Sequence, residues 1–213
     1  MIQVDTGSDL IFRFDDVIGP DTCDRIVEYL KSNTDLITYF HTVGNENKQP
    51  YTKDCVPREF SEDLKLEILK HRDNVATIAS TCFNETLYPE SCATVYWKEG
   101  SSMDWHPDIA SPKSLTEEDR KLHNENSSMF TRYATTITYL NDDYSGGETI
   151  IRNGKWEMNA TPIVSKPKKG SVVIYFSGCF HSVNKIGNGG RFTLPIFLTK
   201  NYEFSQWFVE GKK

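Results

Sequence analysis

The stretch CATVYWKEGSSMDWHPDI, Cys92 to Ile109, decides the fold. Ala93 to Trp97 is dense in β-branched and aromatic residues, the composition of a strand. Met103 to Ile109 reads as a second strand and carries His106 and Asp108. Alternate side chains on a strand point to one face, so this imidazole and this carboxylate aim at one point.

Strand signals continue downstream. Tyr133 to Leu140 alternates in polarity. Gly147 to Ile151 is followed by Asn153-Gly154, a strong hairpin-turn dipeptide. Ser171 to Phe176 reads as a buried strand, and Cys179 to Ile186 and Arg191 to Leu198 flank the turn Gly187-Asn188-Gly189-Gly190. Many short strands with regular turn signals predict a sandwich or jelly roll.

Upstream, Leu10 to Phe14 is a strand candidate, ended by Gly19-Pro20-Asp21-Thr22. A helix over Cys23 to Lys31 carries the apolar stripe Ile26, Tyr29 and Leu30. A second, from Phe60 towards Thr81, repeats Leu64, Ile68, Val75 and Ile78 at helical intervals. Gly44 to Pro57 between them is polar and predicts a loop. Ala110 to Thr131, polar and directly after the His-Pro-Asp triplet, reads as a lid or a solvated loop. Within it Ser114 to Glu117 forms a capping-box pattern, which predicts a short helix over Leu115 to Leu122. There is no internal repeat and no linker.

The chain has 213 residues, 12% aromatic and 25% charged, which suits a globular enzyme. A net charge of −6 and a pI near 5.4 oppose a nucleic-acid partner, which would need phosphate neutralisation. The run Lys166, Lys168, Lys169 reads as a solvated turn. Cys23, Cys55, Cys82, Cys92 and Cys179 show no CxxC spacing, and an odd count fits free thiols in a reducing compartment. Cys179 reads as a small buried hydrophobe rather than a ligand. No basic segment with a following apolar run opens the chain, and no run approaches the ~18 apolar residues of a membrane span. A cytoplasmic protein with no membrane partner is expected.

A lone His181 and, ten residues later, Arg191 complete the candidate site. Two imidazoles and one carboxylate on a face form the set that holds non-haem Fe(II) and leaves positions open. A closed four-ligand site, as in structural zinc, would leave no room for a cosubstrate. His41, His71 and His123 have no partner at ligand spacing, and His71, beside Arg72 in a helix, is expected to face solvent. Arg191 presents a planar fork suited to a carboxylate, and Thr193 shares its strand face. If the strands of His181 and Arg191 formed a hairpin, the even separation would require a three- or five-residue connection, or a bulge, near Asn188. Pro195 predicts an edge or a local irregularity in the last strand.

Together these pieces resemble the 2-oxoglutarate/Fe(II)-dependent dioxygenases, in particular their prolyl 4-hydroxylase-like branch. The matching residues, in order, are Gly100, His106, Asp108 and Arg132 leading into Tyr133-Ala134-Thr135. Then come Tyr139-Leu140-Asn141-Asp142, Gly146-Gly147-Glu148-Thr149, Lys168-Lys169-Gly170-Ser171, His181-Ser182-Val183 and Arg191. The resemblance implies an α+β, mainly β fold: a double-stranded β-helix (jelly roll, cupin-like) with supporting N-terminal helices. It implies one dioxygenase domain over residues 1–213. Residues 1–90 would supply helical support and edge strands, and 91–200 the jelly-roll core with a lid-like insertion at 110–131. His106, Asp108 and His181 would be both catalytic and metal-binding; Arg191, Thr193 and Tyr139 would bind the cosubstrate. Fe(II), 2-oxoglutarate and O2 are the implied cofactors, with ascorbate a further candidate.

Two departures stand out. The family tyrosine three residues before the first histidine, which contacts the cosubstrate, is Met103 here, and Tyr139 is the candidate replacement. Collagen-type members carry lysine at the position of Arg191. The implied reaction hydroxylates an unactivated C–H bond, with succinate and CO2 as co-products. A prolyl residue in a peptide or protein is the first substrate candidate, and a free amino acid or other small molecule the second. Trp97, Trp105, Tyr144 and Trp156 are candidates to line a groove for such a chain, or for the core. The rival readings are a non-catalytic cupin-like metal-binding module and an oxygenase of nucleic-acid bases; the acidic balance opposes the latter.

Overall fold

The computed structural model describes residues 1–33, 37–40, 49–52, 60–109, 111, 131–203 and 205. The elements run β1 (Ile2–Val4), β2 (Ile11–Asp15), α1 (Pro20–Ser32), β3 (Ile37–Phe40), β4 (Gln49–Thr52), α2 (Glu62–Phe83), β5 (Tyr88–Cys92) and β6 (Val95–Trp97). They continue with β7 (Met103–His106), β8 (Arg132–Tyr139), β9 (Thr149–Lys155), β10 (Pro162–Ser165), β11 (Val172–Phe176), β12 (Cys179–Val183) and β13 (Arg191–Thr199). The expected lid helix, His41, Cys55 and His123 lie outside the described residues.

Two antiparallel sheets form the jelly roll. The larger has nine strands, in the order β1-β2-β11-β8-β13-β6-β4-β3, with β5 also on β13; the smaller runs β10-β9-β12-β7. Strand alternation makes the large sheet two-faced. Val172 and Ile174 of β11, and Phe192, Leu194, Ile196 and Leu198 of β13, pack with Ile26 and Leu30 of α1 and Leu64, Ile68 and Val75 of α2. The intervening Val173 and Tyr175 turn the other way, joining Tyr139 of β8, Ile151 of β9 and Cys179 of β12 between the sheets. Each fully buried Leu or Ile in the helix-side layer contributes about 1.5–3 kcal/mol.

Both helices begin and end for local reasons. Pro20 opens α1 in the first turn, where its missing N–H costs nothing. In α2 acidic Glu62 and Asp63 occupy the first turn, and Asn84 closes the helix in the left-handed conformation. No helix among the described residues is long and apolar enough to cross a membrane.

Several sequence expectations need correction. Gln49–Thr52, within the expected loop, is a strand paired with β3. Tyr88–Cys92 is a strand that the sequence pattern did not single out. Asn153-Gly154 makes no turn. Both lie in the extended β9, held because Asn153 N–H bonds Thr161 C=O at 2.9 Å and Lys155 registers with Cys179 of β12. The chain reverses beyond β9, where Trp156 takes a positive φ of 55°.

The strands of His181 and Arg191 are not a hairpin. β12 belongs to the small sheet and β13 to the large one, so the parity requirement does not apply. Pro195 lies within a central strand, paired with Ile137 of β8. On its other side β13 changes partner, from β6 at Thr193 to β5 at Ile196, so the missing donor falls in that gap.

The thiols of Cys23, Cys82 and Cys179 are free. The lysine run sits at the surface and is tied down, with Lys168 at 2.8 Å from Asp15 and Lys169 at 2.8 Å from Asp24.

His71 does not face solvent. It is buried under the large sheet, with Nε2 at 2.8 Å from Thr138 Oγ1, and joins α2 to β8. Burial pushes its imidazole down to about 4 from the usual 6.5. The neutral ring is the native form, so the unfolded chain takes up the proton first as pH falls. The stabilisation is complete above pH 6.5 and is lost towards pH 4, a loss on the order of 3 kcal/mol. Denaturant titrations across this range should show it. His71→Gln, which cannot charge, should flatten that part of the curve.

Candidate active site

His106 ends β7, where Pro107 has no N–H to continue the ladder. β7 lies beside β12, and their register sets His106 directly opposite His181. The two rings stand 4.3 Å apart between centroids. Asp108 follows, anchored by its own N–H to the Ser177 carbonyl at 2.9 Å. Its Oδ1 lies 3.9 Å from His106 Nε2 and its Oδ2 3.5 Å from His181 Nε2. One ligand atom from each of the three lies within 4.8 Å of the others, so a single ion can touch all three.

Backbone carbonyls orient the imidazoles. His106 Nδ1 is 2.7 Å from Asp104 O, and His181 Nδ1 is 3.2 Å from Cys179 O. A proton on each Nδ1 leaves the Nε2 lone pair facing Asp108. Cys179 thus serves through its carbonyl, while burial pushes its thiol up to about 11. Burial also pushes His181 down to about 4, against the opposing pull of Asp108, so the ring is a neutral donor.

Two hydroxyls hold the carboxylate. Thr135 donates to Asp108 Oδ2 at 2.7 Å and Tyr175 to the same oxygen at 3.4 Å. Thr135 also meets Ser177 Oγ at 2.9 Å. Tyr175 is fully buried, and burial together with the Asp108 charge holds its phenol well above 10, in the donating form. Thr135 belongs to the matched run Tyr133-Ala134-Thr135, but the sequence assigned no role to it or to Tyr175. Face parity was the available signal, since Thr135 shares a face with Tyr139, and Tyr175 with Val173.

On the same inner face as Tyr175, Tyr139 packs in the buried layer and the guanidinium of Arg191, the first residue of β13, lies over its ring. Arg191 is 1% exposed. Its Nη2 donates to Thr149 Oγ1 at 3.1 Å, its Nε has no partner, and its guanidinium lies over Trp97 and Tyr139. Among the described residues no carboxylate pairs with it. A buried cation left so is unfavourable by several kcal/mol and calls for an anion. Thr193 accepts from Trp97 Nε1 at 3.3 Å, and the Tyr139 hydroxyl lies 2.8 Å from Thr149 Oγ1 and 3.2 Å from Ser165 O. Trp97 and Tyr144 pack in a buried apolar cluster with Val183 and Ile186 beside Arg191. Trp105 stacks under Arg152, and Trp156 donates to Ile109 O at 3.3 Å beside Phe176.

The donor sets fit the groups that such a site would take. Two imidazole nitrogens and a carboxylate suit a divalent ion with open positions, and the guanidinium without a carboxylate partner suits the far carboxylate of a 2-oxo diacid.

The sequence profile of the 2OG-Fe(II) oxygenase superfamily matches residues 92–199. The chain belongs to this superfamily: it is a 2-oxoglutarate- and Fe(II)-dependent oxygenase, an enzyme that uses Fe(II), 2-oxoglutarate and O2. Solved structures share the fold. A prolyl 4-hydroxylase from Pseudomonas putida has a TM-score of 0.61 at 14% identity, over 90% of this chain and 92% of its own. A Trichoplax adhaerens prolyl hydroxylase, in complex with a hypoxia-inducible-factor peptide, has a TM-score of 0.65 at 11% identity, over 94% and 87%. HygX from Streptomyces hygroscopicus, with nickel and 2-oxoglutarate bound, has a TM-score of 0.61 at 12% identity, over 90% and 83%. No curated protein sequence matches the chain.

Thr135→Val removes the shorter hydrogen bond to Asp108. Metal affinity should fall by about 10- to 100-fold, measured by anaerobic titration with Fe(II). Unchanged affinity would show that Thr135 does not orient a ligand.

Proposed function

We propose that this enzyme hydroxylates an unactivated C–H bond, with a prolyl residue in a peptide or protein as the substrate. In this reading His106, Asp108 and His181 hold Fe(II), and Arg191 and Thr193 hold the far carboxylate of 2-oxoglutarate. Tyr139 lines the same pocket and steadies Arg191 through Thr149. The observation that carries the reading is a pair of features on the inner faces of the sheets: an imidazole–imidazole–carboxylate set, and a buried guanidinium that meets no carboxylate among the described residues.

When bound, the metal and 2-oxoglutarate supply the O2 chemistry, placing one oxygen in the substrate and releasing succinate and CO2. The chain's own contribution is placement and exclusion of water. Asp104 and Cys179 carbonyls fix the imidazole tautomers. Thr135 and Tyr175 keep the carboxylate pointed at the ion rather than at solvent. Ile151, Val183 and Ile186 keep the inner walls apolar. The side chain of His106 is the most exposed of the three ligand candidates, at 36%, so substrate approaches from its side.

The prolyl assignment rests on likeness of fold to the Pseudomonas and Trichoplax prolyl hydroxylases. A screen of proline-containing peptides and free amino acids with Fe(II) and 2-oxoglutarate tests it, scored by a mass gain of one oxygen. Hydroxylated peptide, with succinate in equal amount, is expected. Oxygen gain on free amino acids alone would move the substrate to that class. His181→Ala should lose both iron binding and succinate formation. Arg191→Ala should raise the 2-oxoglutarate concentration needed by at least about tenfold while iron still binds; an unchanged requirement would remove the clamp.

A further inference from the structure

The pocket around Arg191 contains a second orphan. Tyr144 lies in the connection between β8 and β9, and its ring packs with Trp97, Met103, Val183 and Ile186. Its hydroxyl oxygen is buried and, like Arg191 Nε, has no hydrogen-bond partner. The two side chains are close enough for the guanidinium to oppose the upward push of burial on the phenol. Burial nevertheless dominates, which keeps the phenol protonated and able to donate.

The backbone is shaped around this pair. Gly147 has a φ of 67°, and a Cβ there would stand 2.9 Å from Tyr144 Cε2, 3.2 Å from Arg191 Cδ and 3.2 Å from Ile186 Cγ1. Any side chain would push the ring or the guanidinium out of place. A buried hydroxyl left unpaired costs about 1–3 kcal/mol, so a native site that keeps one beside a lone cation is built for a ligand that accepts from both. Tyr139 is less free for this role, because its hydroxyl already lies within hydrogen-bond distance of Thr149 Oγ1 and Ser165 O. Met103, which packs in the same cluster as Tyr144, offers only an apolar wall.

We propose that the Tyr144 phenol, beside Arg191, donates a hydrogen bond to the far carboxylate of 2-oxoglutarate, and so supplies the hydroxyl that Met103 lacks. The inference rests on the reading of the Arg191 pocket as the cosubstrate site. Tyr144 is then a cosubstrate-binding residue contributed by a loop next to the Gly146-Gly147 turn, its ring packed in the apolar cluster and its hydroxyl left for the ligand.

The test is calorimetric and needs no turnover. 2-Oxoglutarate and, separately, oxalate are titrated into Mn(II)-loaded wild type, Tyr144→Phe and Arg191→Ala. Oxalate chelates the metal but has no far carboxylate. For Tyr144→Phe, 2-oxoglutarate should bind about tenfold more weakly or worse, and oxalate should be unchanged. The thermal midpoint of the ligand-free variant should be unchanged or raised, because an unpaired buried hydroxyl has been removed. If Arg191→Ala weakens 2-oxoglutarate but Tyr144→Phe does not, the role of Tyr144 is overturned and the clamp stands. If Tyr144→Phe weakens both ligands equally and lowers the midpoint, Tyr144 is a packing residue and the proposal fails. If Arg191→Ala leaves 2-oxoglutarate binding intact, the clamp itself is wrong and the proposal falls with it.

Discussion

The two-residue repeat of the β-strand is the constraint on which everything else in this protein depends. In β13 the even-numbered residues Phe192 to Leu198 grip the helices, while Arg191 and Thr193 face the small sheet. In β8 Thr138 meets His71 of α2 on one side, while Thr135 reaches Asp108 on the other. In β11 Ile174 is core and Tyr175 touches the carboxylate. The chemistry is thus held from behind by hydrophobic packing. A one-residue slip would turn the guanidinium into the helix layer and a leucine into the cavity, so the core and the site enforce the same register.

Two largely buried arginines in this molecule have opposite surroundings. Arg132 is mostly buried and pairs with buried Glu90 at 3.2 Å. Arg191 is more deeply buried and has a threonine and two aromatic faces instead of a carboxylate. The same asymmetry marks the metal end, where two imidazoles are tethered to carbonyls through Nδ1 and turn Nε2 towards Asp108.

Much of this was legible in the chain. His106 and Asp108 stand two apart on a strand, and the helical stripes Ile26/Leu30 and Leu64/Ile68/Val75 are spaced for one buried face. Local signals failed where tertiary partners overrode them. Asn153-Gly154 has the composition of a tight turn, yet neighbours on both sides hold it extended. His71 carries a polar label beside Arg72, yet it sits on the helix face that covers Thr138. The polar Gln49–Thr52 became a strand because β3 and β6 flank it.

The sequence by itself determined the element types, the two-faced strands and the identity of the metal-ligand candidates, because periodicity and side-chain chemistry are local properties. Tertiary structure alone decided that β12 and β13 lie in opposite sheets, that Thr135 and Tyr175 meet Asp108, and that the Tyr144 hydroxyl is sealed in beside Arg191 without a partner. Those are contacts between residues far apart along the chain, and their existence depends on which sheet each strand joins, which no short window of residues encodes.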